Sequence, residues 1–244
     1  MYLTSCIKKQ KELIEMSEII ALQIPETLEK QDYNFLSFCI SSSRHKQLSR
    51  FIHKEDVYRS LFAESLARAI IINKLEMKNR NIHFGSNLYG KPYLLGQSNF
   101  HFNLAHSGSW VVMIWGEDAV GVDVEKVKEI DIGVVERFFS SEEFMDIMAK
   151  SEYKRREYFY ELWTLKESYI KALGTGLSTP LDTFSIRILE DRITLTPDQV
   201  PCLFKQYEIA PKYKLSACTF TNQLPEYVQY YHFTNLIDEL SRTD

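Results

Sequence analysis

Phe100-His101-Phe102-Asn103-Leu104-Ala105-His106-Ser107-Gly108-Ser109-Trp110-Val111-Val112-Met113-Ile114-Trp115-Gly116-Glu117-Asp118-Ala119-Val120-Gly121-Val122-Asp123-Val124-Glu125 is where the hydrophobic period of the chain changes from helical to two. Phe100, Phe102 and Leu104 alternate with His101, Asn103 and Ala105, which predicts a strand. Ser107-Gly108 supplies a turn, and Trp110–Trp115 is a second strand. Gly116-Glu117-Asp118 turns again into a third strand over Ala119–Glu125, so a meander is expected.

Helical patterns flank this centre. From Lys54 to Leu75, Val57, Leu61, Leu66, Ile70 and Ile71 recur at helical spacing. Residues 11–22 also have helix-like spacing. Residues 85–97 read as turns, with Gly85, Gly90, Pro92 and Gly96. Ser140 with Glu143 fits a capping box. A longer helix is predicted from Arg155 to Leu173, stopped by Gly174, with Gly176 and Pro180 beyond. Residues 181–233 are strand-like again. Helix followed by sheet thus occurs twice, which makes an α+β chain of two similar units one reading of the pattern.

The 244 residues, 45% hydrophobic and 25% charged, exclude disorder, collagen and coiled coil for the whole chain. Residues 1–120 carry 14 basic and 12 acidic side chains, and residues 121–244 carry 15 and 21. That asymmetry is no nucleic-acid stripe. The longest apolar run, Trp110–Trp115, is far short of a membrane span. Lys8, Lys9 and Lys11 are followed by Glu12, Glu15 and Glu18, not by a signal-peptide apolar region. Cys6, Cys39, Cys202 and Cys218 are widely spaced and form no CxxC, so free thiols and a reducing compartment are expected. A soluble cytoplasmic protein that binds neither nucleic acid nor membrane follows as the expectation. The chain has no GxxxxGK[ST], no GxGxxG after a strand, no HExxH and no GxSxG.

Three clusters carry candidate chemistry. In Gly121-Val122-Asp123-Val124-Glu125, strand alternation puts both carboxylates on one face, roughly 7 Å apart. Such a pair can share a hard cation such as Mg²⁺. A half-buried strand with a solvated acidic face would read the same way. Trp163, Glu167 and Lys171 follow at i, i+4 and i+8 on one helix face. Glu167 and Lys171 there describe either an ordinary surface pair or groups suited to phosphoryl chemistry. His106 stands where a strand ends in a tight turn, as a structural or a functional side chain. Arg44, Lys46, Arg50, Arg59 and Lys91 are scattered cations that together would suit a ligand with several phosphates.

The ordered set GKP (90–92), FNLAHSG (102–108), GVDVEK (121–126), RFFSSEE (137–143) and WTLKESYIKALGTGL (163–177) resembles the phosphopantetheinyl transferase family. It is similar to the long, surfactin-synthetase-activating type, and RFIHKED (50–56) followed by Arg59-Ser60 resembles that type's N-terminal half. The resemblance covers roughly residues 44–220. It implies a pseudo-dimer of two similar half-domains, each a small antiparallel sheet with packed helices, and it divides the chain into residues 1–120 and 121–244. The first half would bear the coenzyme A phosphate and adenine contacts, and the second the metal carboxylates and the catalytic helix.

The implied activity is transfer of phosphopantetheine from coenzyme A to a serine of an apo peptidyl or acyl carrier protein, as in nonribosomal peptide and antibiotic synthesis. It would release 3′,5′-ADP with Mg²⁺ as cofactor. The resemblance assigns Asp123, Glu125 and Glu167 to the metal, Glu167 also to the serine proton, and Lys171 to the phosphate and the leaving ADP. Lys91 and His106 would touch coenzyme A phosphates, Arg44 and Lys46 the 3′-phosphate, and Arg59 and Ser60 the adenine. Glu143 falls at a further acidic position. The chain departs from the family at Ala105, where many relatives have Ser, at Gln47, where a second basic residue is common, and at Thr164. A carrier-docking patch is expected near residues 110–150, and a monomer is expected because one chain holds both halves. A non-catalytic coenzyme A or nucleotide-binding module, and a metal-dependent coenzyme A phosphohydrolase, are the competing functions.

Overall fold

The computed structural model describes residues 17–190, 192–198, 200–221 and 223–242. Cys6 and the part of the helix-like spacing over 11–16 lie outside them. The described remainder of that segment is a strand, β1 (Glu18–Gln23). Ile19, Ile20, Ala21 and Leu22 form an unbroken apolar run, which suits a strand covered on both faces as well as a helix. Tertiary contacts decide for the strand, because β1 is flanked on both edges.

Helices α1 (Lys30–Cys39) and α2 (Ser42–Leu48) lead into α3 (Lys54–Leu75), which matches its predicted span. The turn-rich segment folds as a hairpin, β2 (Phe84–Ser86) and β3 (Pro92–Leu94). Then come β4 (His101–Ser107), β5 (Trp110–Gly116) and β6 (Val120–Lys126). Helices α4 (Ile132–Phe138), α5 (Ser141–Met148) and α6 (Glu152–Leu173) follow, and the predicted Ser140/Glu143 capping box is present. The remainder is β7 (Ser185–Ile188), β8 (Ile193–Thr196), β9 (Leu203–Tyr207), β10 (Tyr213–Thr219), β11 (Val228–Tyr231) and α7 (Phe233–Ser241).

The fold is α+β, with small sheets and packed helices. One sheet has the order β11-β1-β5-β4 and another β6-β10-β9, while β2-β3 and β7-β8 stand as hairpins. The first sheet is mixed, because β1 pairs antiparallel with β5 but parallel with β11. The expected meander breaks after its second strand. β5 pairs with β4, but β6 leaves that sheet and pairs with β10, setting Asp123 opposite Ser216 and Glu125 opposite Lys214.

β4 and β6 still lie side by side. Asn103 Oδ1 accepts from the Val122 N–H at 2.9 Å, and Ser107 Oγ accepts from the Lys126 N–H at 3.0 Å. A buried N–H such as that of Val122 needs a partner, and here side chains satisfy the edge of β6 that a neighbouring strand would have used.

Each of the two larger sheets carries a 22-residue helix, α3 on the first and α6 on the second. Leu61, Phe62, Leu66 and Ile70 of α3 pack with Met113 and Trp115. Leu162, Leu165 and Ile170 of α6 pack with Phe139, Phe184 and Cys218. A third apolar cluster joins the sheets through Ile19, Val112, Ile114, Val122, Val124 and Ala217. Burying each Val, Leu, Ile, Phe or Met side chain among these contributes ~1.5–3 kcal/mol. The last strand and helix return to the first sheet, where Leu236 and Leu240 join the core around α3.

Candidate active site

The crossing of β6 over α6 builds the site. A Cβ on Gly121 would lie 2.0 Å from the Ser168 carbonyl oxygen and 2.4 Å from the Ala172 nitrogen, so only glycine permits this approach. It brings Asp123 onto the face of α6 that carries Glu167 and Lys171. Lys171 Nζ donates to Asp123 Oδ1 at 2.6 Å. Trp163, one turn before Glu167, is fixed by Phe138, Phe139 and Phe159, the last in a stacked arrangement at 5.7 Å.

These groups face a cavity of about 320 Å³. Asp123 and Glu125 line it from β6, Trp163, Glu167 and Lys171 from α6, and Leu104, Ala105 and His106 from β4. The face shared by Trp163, Glu167 and Lys171 is therefore as the spacing predicts. Ser107 Oγ donates to Glu125 Oε2 at 2.7 Å, so it holds that carboxylate while also capping the Lys126 N–H.

The cavity is short of positive charge. Burial pushes the Asp123 carboxyl up to about 7; Glu125 and Glu167 push the same way, against Lys171. Glu167 is also raised, by burial first and by Glu125. Burial would lower Lys171, but the three carboxylates outweigh it and raise the ammonium. His106 stands at the open mouth of the cavity. The protein around it lowers its pKa, and the charges of Lys171 and Arg59 add to that effect.

Asp123 Oδ2 is buried with no hydrogen-bond partner. Three hard oxygen donors, an orphaned carboxylate oxygen and the raised Asp123 and Glu167 carboxyls fit a divalent cation. Among the described residues, no three His, Cys, Asp or Glu side chains stand in a ligating array. Lys171 and Ser107 occupy the Asp123 and Glu125 oxygens instead.

A second cavity, of about 200 Å³, adjoins the first through Leu104 and is lined by Arg44, Gln47 and Glu64, with Phe102 and the β2-β3 hairpin on its far wall. Arg44 is held there from three sides: its Nε donates to Glu64 Oε2 at 3.0 Å, and its Nη1 to Gln47 and to Ser60 Oγ. Glu64 is buried and also binds Arg68 and the backbone of Ser41. Burial pushes its carboxyl up, but Ser41, Arg68 and Arg44 outweigh that and hold it below the usual range. Arg59 pairs with Asp56 and donates to the Gly108 carbonyl at 3.3 Å. Lys46 is exposed on α2 and does not line this cavity. Lys91 is half-buried on backbone carbonyls and lines neither cavity.

This layout accounts for motifs in both halves at once. Residues 119–220 match the model of the 4′-phosphopantetheinyl transferase superfamily, and residues 27–117 match that of the 4′-phosphopantetheinyl transferase N-terminal region. The chain is 38% identical over 212 residues to the 4′-phosphopantetheinyl transferase ffp of Bacillus subtilis, covering 86% of this chain and 95% of the relative. The chain belongs to the 4′-phosphopantetheinyl transferase superfamily. It is also 37% identical to the transferase Sfp of Bacillus subtilis strain 168, over 86% of this chain and 94% of that one. To the transferase gsp of Aneurinibacillus migulanus it is 35% identical, over 84% and 86%.

Within this transferase, Glu143 is structural. It is buried in an ion pair with Lys166, whose Nζ lies 2.7 and 2.6 Å from its two oxygens and 2.6 Å from the Phe184 carbonyl. In the expected docking region, Trp110–Gly116 is wholly buried, and Ile132 and Met145 are the large apolar side chains that reach the surface. Sequence reasoning missed Glu64, Gly121 and the hydroxyl of Ser107 as site-building groups. Glu64 had a signal, since a charge amid the buried positions of a helix needs partners. Among the described residues, no helix is long and apolar enough to cross a membrane.

Proposed function

We propose that this transferase moves the phosphopantetheine group of coenzyme A onto a serine hydroxyl of an apo peptidyl or acyl carrier protein. The serine oxygen bonds to the phosphorus bearing pantetheine, and the diphosphate bond breaks to release 3′,5′-ADP. The observation that carries this reading is one cavity holding Asp123, Glu125, Glu167, Lys171 and His106, adjoined by a second that holds Arg44.

The diphosphate would lie along the first cavity, with Lys171 and His106 on its oxygens. Arg44, fixed by Glu64 and Ser60, would take the 3′-phosphate in the second, with Arg59 and Ser60 near the adenine. Asp123, Glu125 and Glu167 would hold Mg²⁺, which when bound would supply charge neutralisation on the diphosphate. Glu167, with its raised pKa, suits removal of the serine proton, directly or through one water. Lys171 then stays charged to stabilise the leaving phosphate, and rigid placement of these groups supplies most of the acceleration. Because one chain supplies both cavities, we read the transferase as a monomer, acting in the cytoplasm.

Incubation with coenzyme A, Mg²⁺ and several apo carrier domains, followed by intact mass measurement, tests the reading. The carrier should gain one phosphopantetheine, and the gain should vanish with a chelator. Free phosphopantetheine without carrier would indicate the hydrolase, and coenzyme A binding with no turnover the non-catalytic module.

A further inference from the structure

The β2-β3 hairpin belongs to the first half, yet its turn lies on the end of the catalytic helix in the second. Asn87 organises the turn: its Oδ1 accepts from the Tyr89 and Lys91 N–H groups, both at 2.9 Å, while Gly90 takes φ +87°. Its Nδ2 reaches across and donates to the Gly174 carbonyl at 2.7 Å. Lys91 follows, with Nζ 3.0 Å from the Val120 carbonyl of β6 and 3.3 Å from the Ala172 carbonyl of α6. Among the described residues it has no ion-pair partner.

The last carbonyls of a helix lack intrahelical donors and carry partial negative charge, so an ammonium there is favourable. Lys91 therefore ties α6 to β6 one residue from Lys171 and three from Asp123, beside the contact that Gly121 allows. The fit is close, since a Cβ on Gly174 would meet Asn87 Nδ2 and Lys91 Cδ, both at 3.1 Å.

We propose that Lys91, delivered by the Asn87 turn, is a positioning residue that locks the end of α6 to the start of β6 and so fixes the Lys171–Asp123 geometry. It acts through those two residues and touches no phosphate. This inference rests on the transferase reading for its kinetic consequence, but the anchoring can be measured without turnover.

Lys91→Met keeps the stem and removes the ammonium, and Lys91→Arg keeps donors for both carbonyls. In carrier loading, Lys91→Met should lower kcat about 10–100-fold while the KM for coenzyme A stays within about two-fold, and Lys91→Arg should recover most of the rate. Hydrogen exchange without substrate should show lost protection over residues 170–175 in Lys91→Met. A KM raised about ten-fold at unchanged kcat would make Lys91 a substrate contact and overturn the proposal. Unchanged exchange over 170–175 would overturn it too. If the wild-type chain loads no carrier, the transferase reading fails, and the exchange result alone decides the anchoring. If Lys91→Met does not fold, Asn87→Ala, which removes the bond to Gly174, carries the same expectations and the same refutations.

Discussion

Gly121→Ala isolates one physical effect. Gly121 has no positive φ, so alanine brings no backbone strain and the perturbation is purely steric. The new methyl would sit 2.0 Å from the Ser168 oxygen, against the 3.4 Å where ordinary contact begins, so β6 and α6 must part by ~1.4 Å. Both neighbours are helix backbone, which cannot swing aside as a side-chain tip can. Taken along the Lys171–Asp123 direction, that movement lengthens the 2.6 Å contact to ~4.0 Å and breaks the hydrogen bond. Overpacking of this kind costs about 1–3 kcal/mol. At about 2–4 °C per kcal/mol for a chain of this size, the melting temperature should fall by roughly 2–12 °C. A displacement of about 1 Å among catalytic groups can cost about 100-fold in rate, so carrier loading should fall far more than stability does. Thermal unfolding and intact-mass loading assays measure the two effects separately. Wild-type turnover in a folded Gly121→Ala protein would refute the claim that this close crossing sets the site.

The remaining predictions address separate parts of the molecule. Asp123 titrates near 7 when folded against 3.8 as an unperturbed side chain, so the folded state holds the extra proton between those values. The stability Asp123 contributes is complete below about 4 and is lost as the pH rises through about 7. With a chelator present, the melting-temperature difference between Asp123→Asn and the parent should therefore shift in favour of the variant from pH 5 to pH 8; a constant difference contradicts the assignment. Lys166→Met leaves the Glu143 carboxylate buried without its cation, which should destabilise by about 3–5 kcal/mol in denaturant unfolding. The folded fraction should keep its turnover, whereas a selective loss of turnover would return Glu143 to the chemistry. Arg44→Ala should raise the KM for coenzyme A and leave that for 3′-dephospho-coenzyme A nearly unchanged. An equal rise for both would move Arg44 away from the 3′-phosphate.

Local patterns revealed the elements whose signal is itself local. The 3.6-residue period of α3, the Ser140/Glu143 box and the Gly174 stop of α6 are written within a few residues of where they act. β1 was not legible, because Ile19–Leu22 is apolar at every position and only its two strand neighbours decide its period. β6 looked like the third strand of a meander for a related reason, since alternation specifies a strand and not its partner. The shared face of Trp163, Glu167 and Lys171 was legible from helical spacing. Their approach to Asp123 depends instead on a missing Cβ at Gly121, 42 to 50 positions away in sequence. Lys46 and Lys91 mark the same limit: charge is visible in a sequence, whereas its direction is set by packing that the sequence does not display.

The two sheets gain something by not merging. Asn103 bonds Val122 and Ser107 bonds Lys126, four residues further along each strand, so β4 and β6 run parallel and are joined by side chains at two points. A continuous backbone ladder would have brought the strands to about 4.8 Å and closed the space between them. Side-chain bridges set them further apart, and Leu104, Ala105, His106, Asp123 and Glu125 line the gap between the two bridges. Asp123 can then stand buried enough for its pKa to be raised, while the gap stays open enough to receive a charged ligand. Ser107 serves both ends of this arrangement, closing one bridge through the Lys126 N–H and orienting Glu125 with the same hydroxyl. Asn103, His106 and Ser107 therefore act as one unit with Asp123 and Glu125, in which two side chains hold the strands apart and the others fill the space so made.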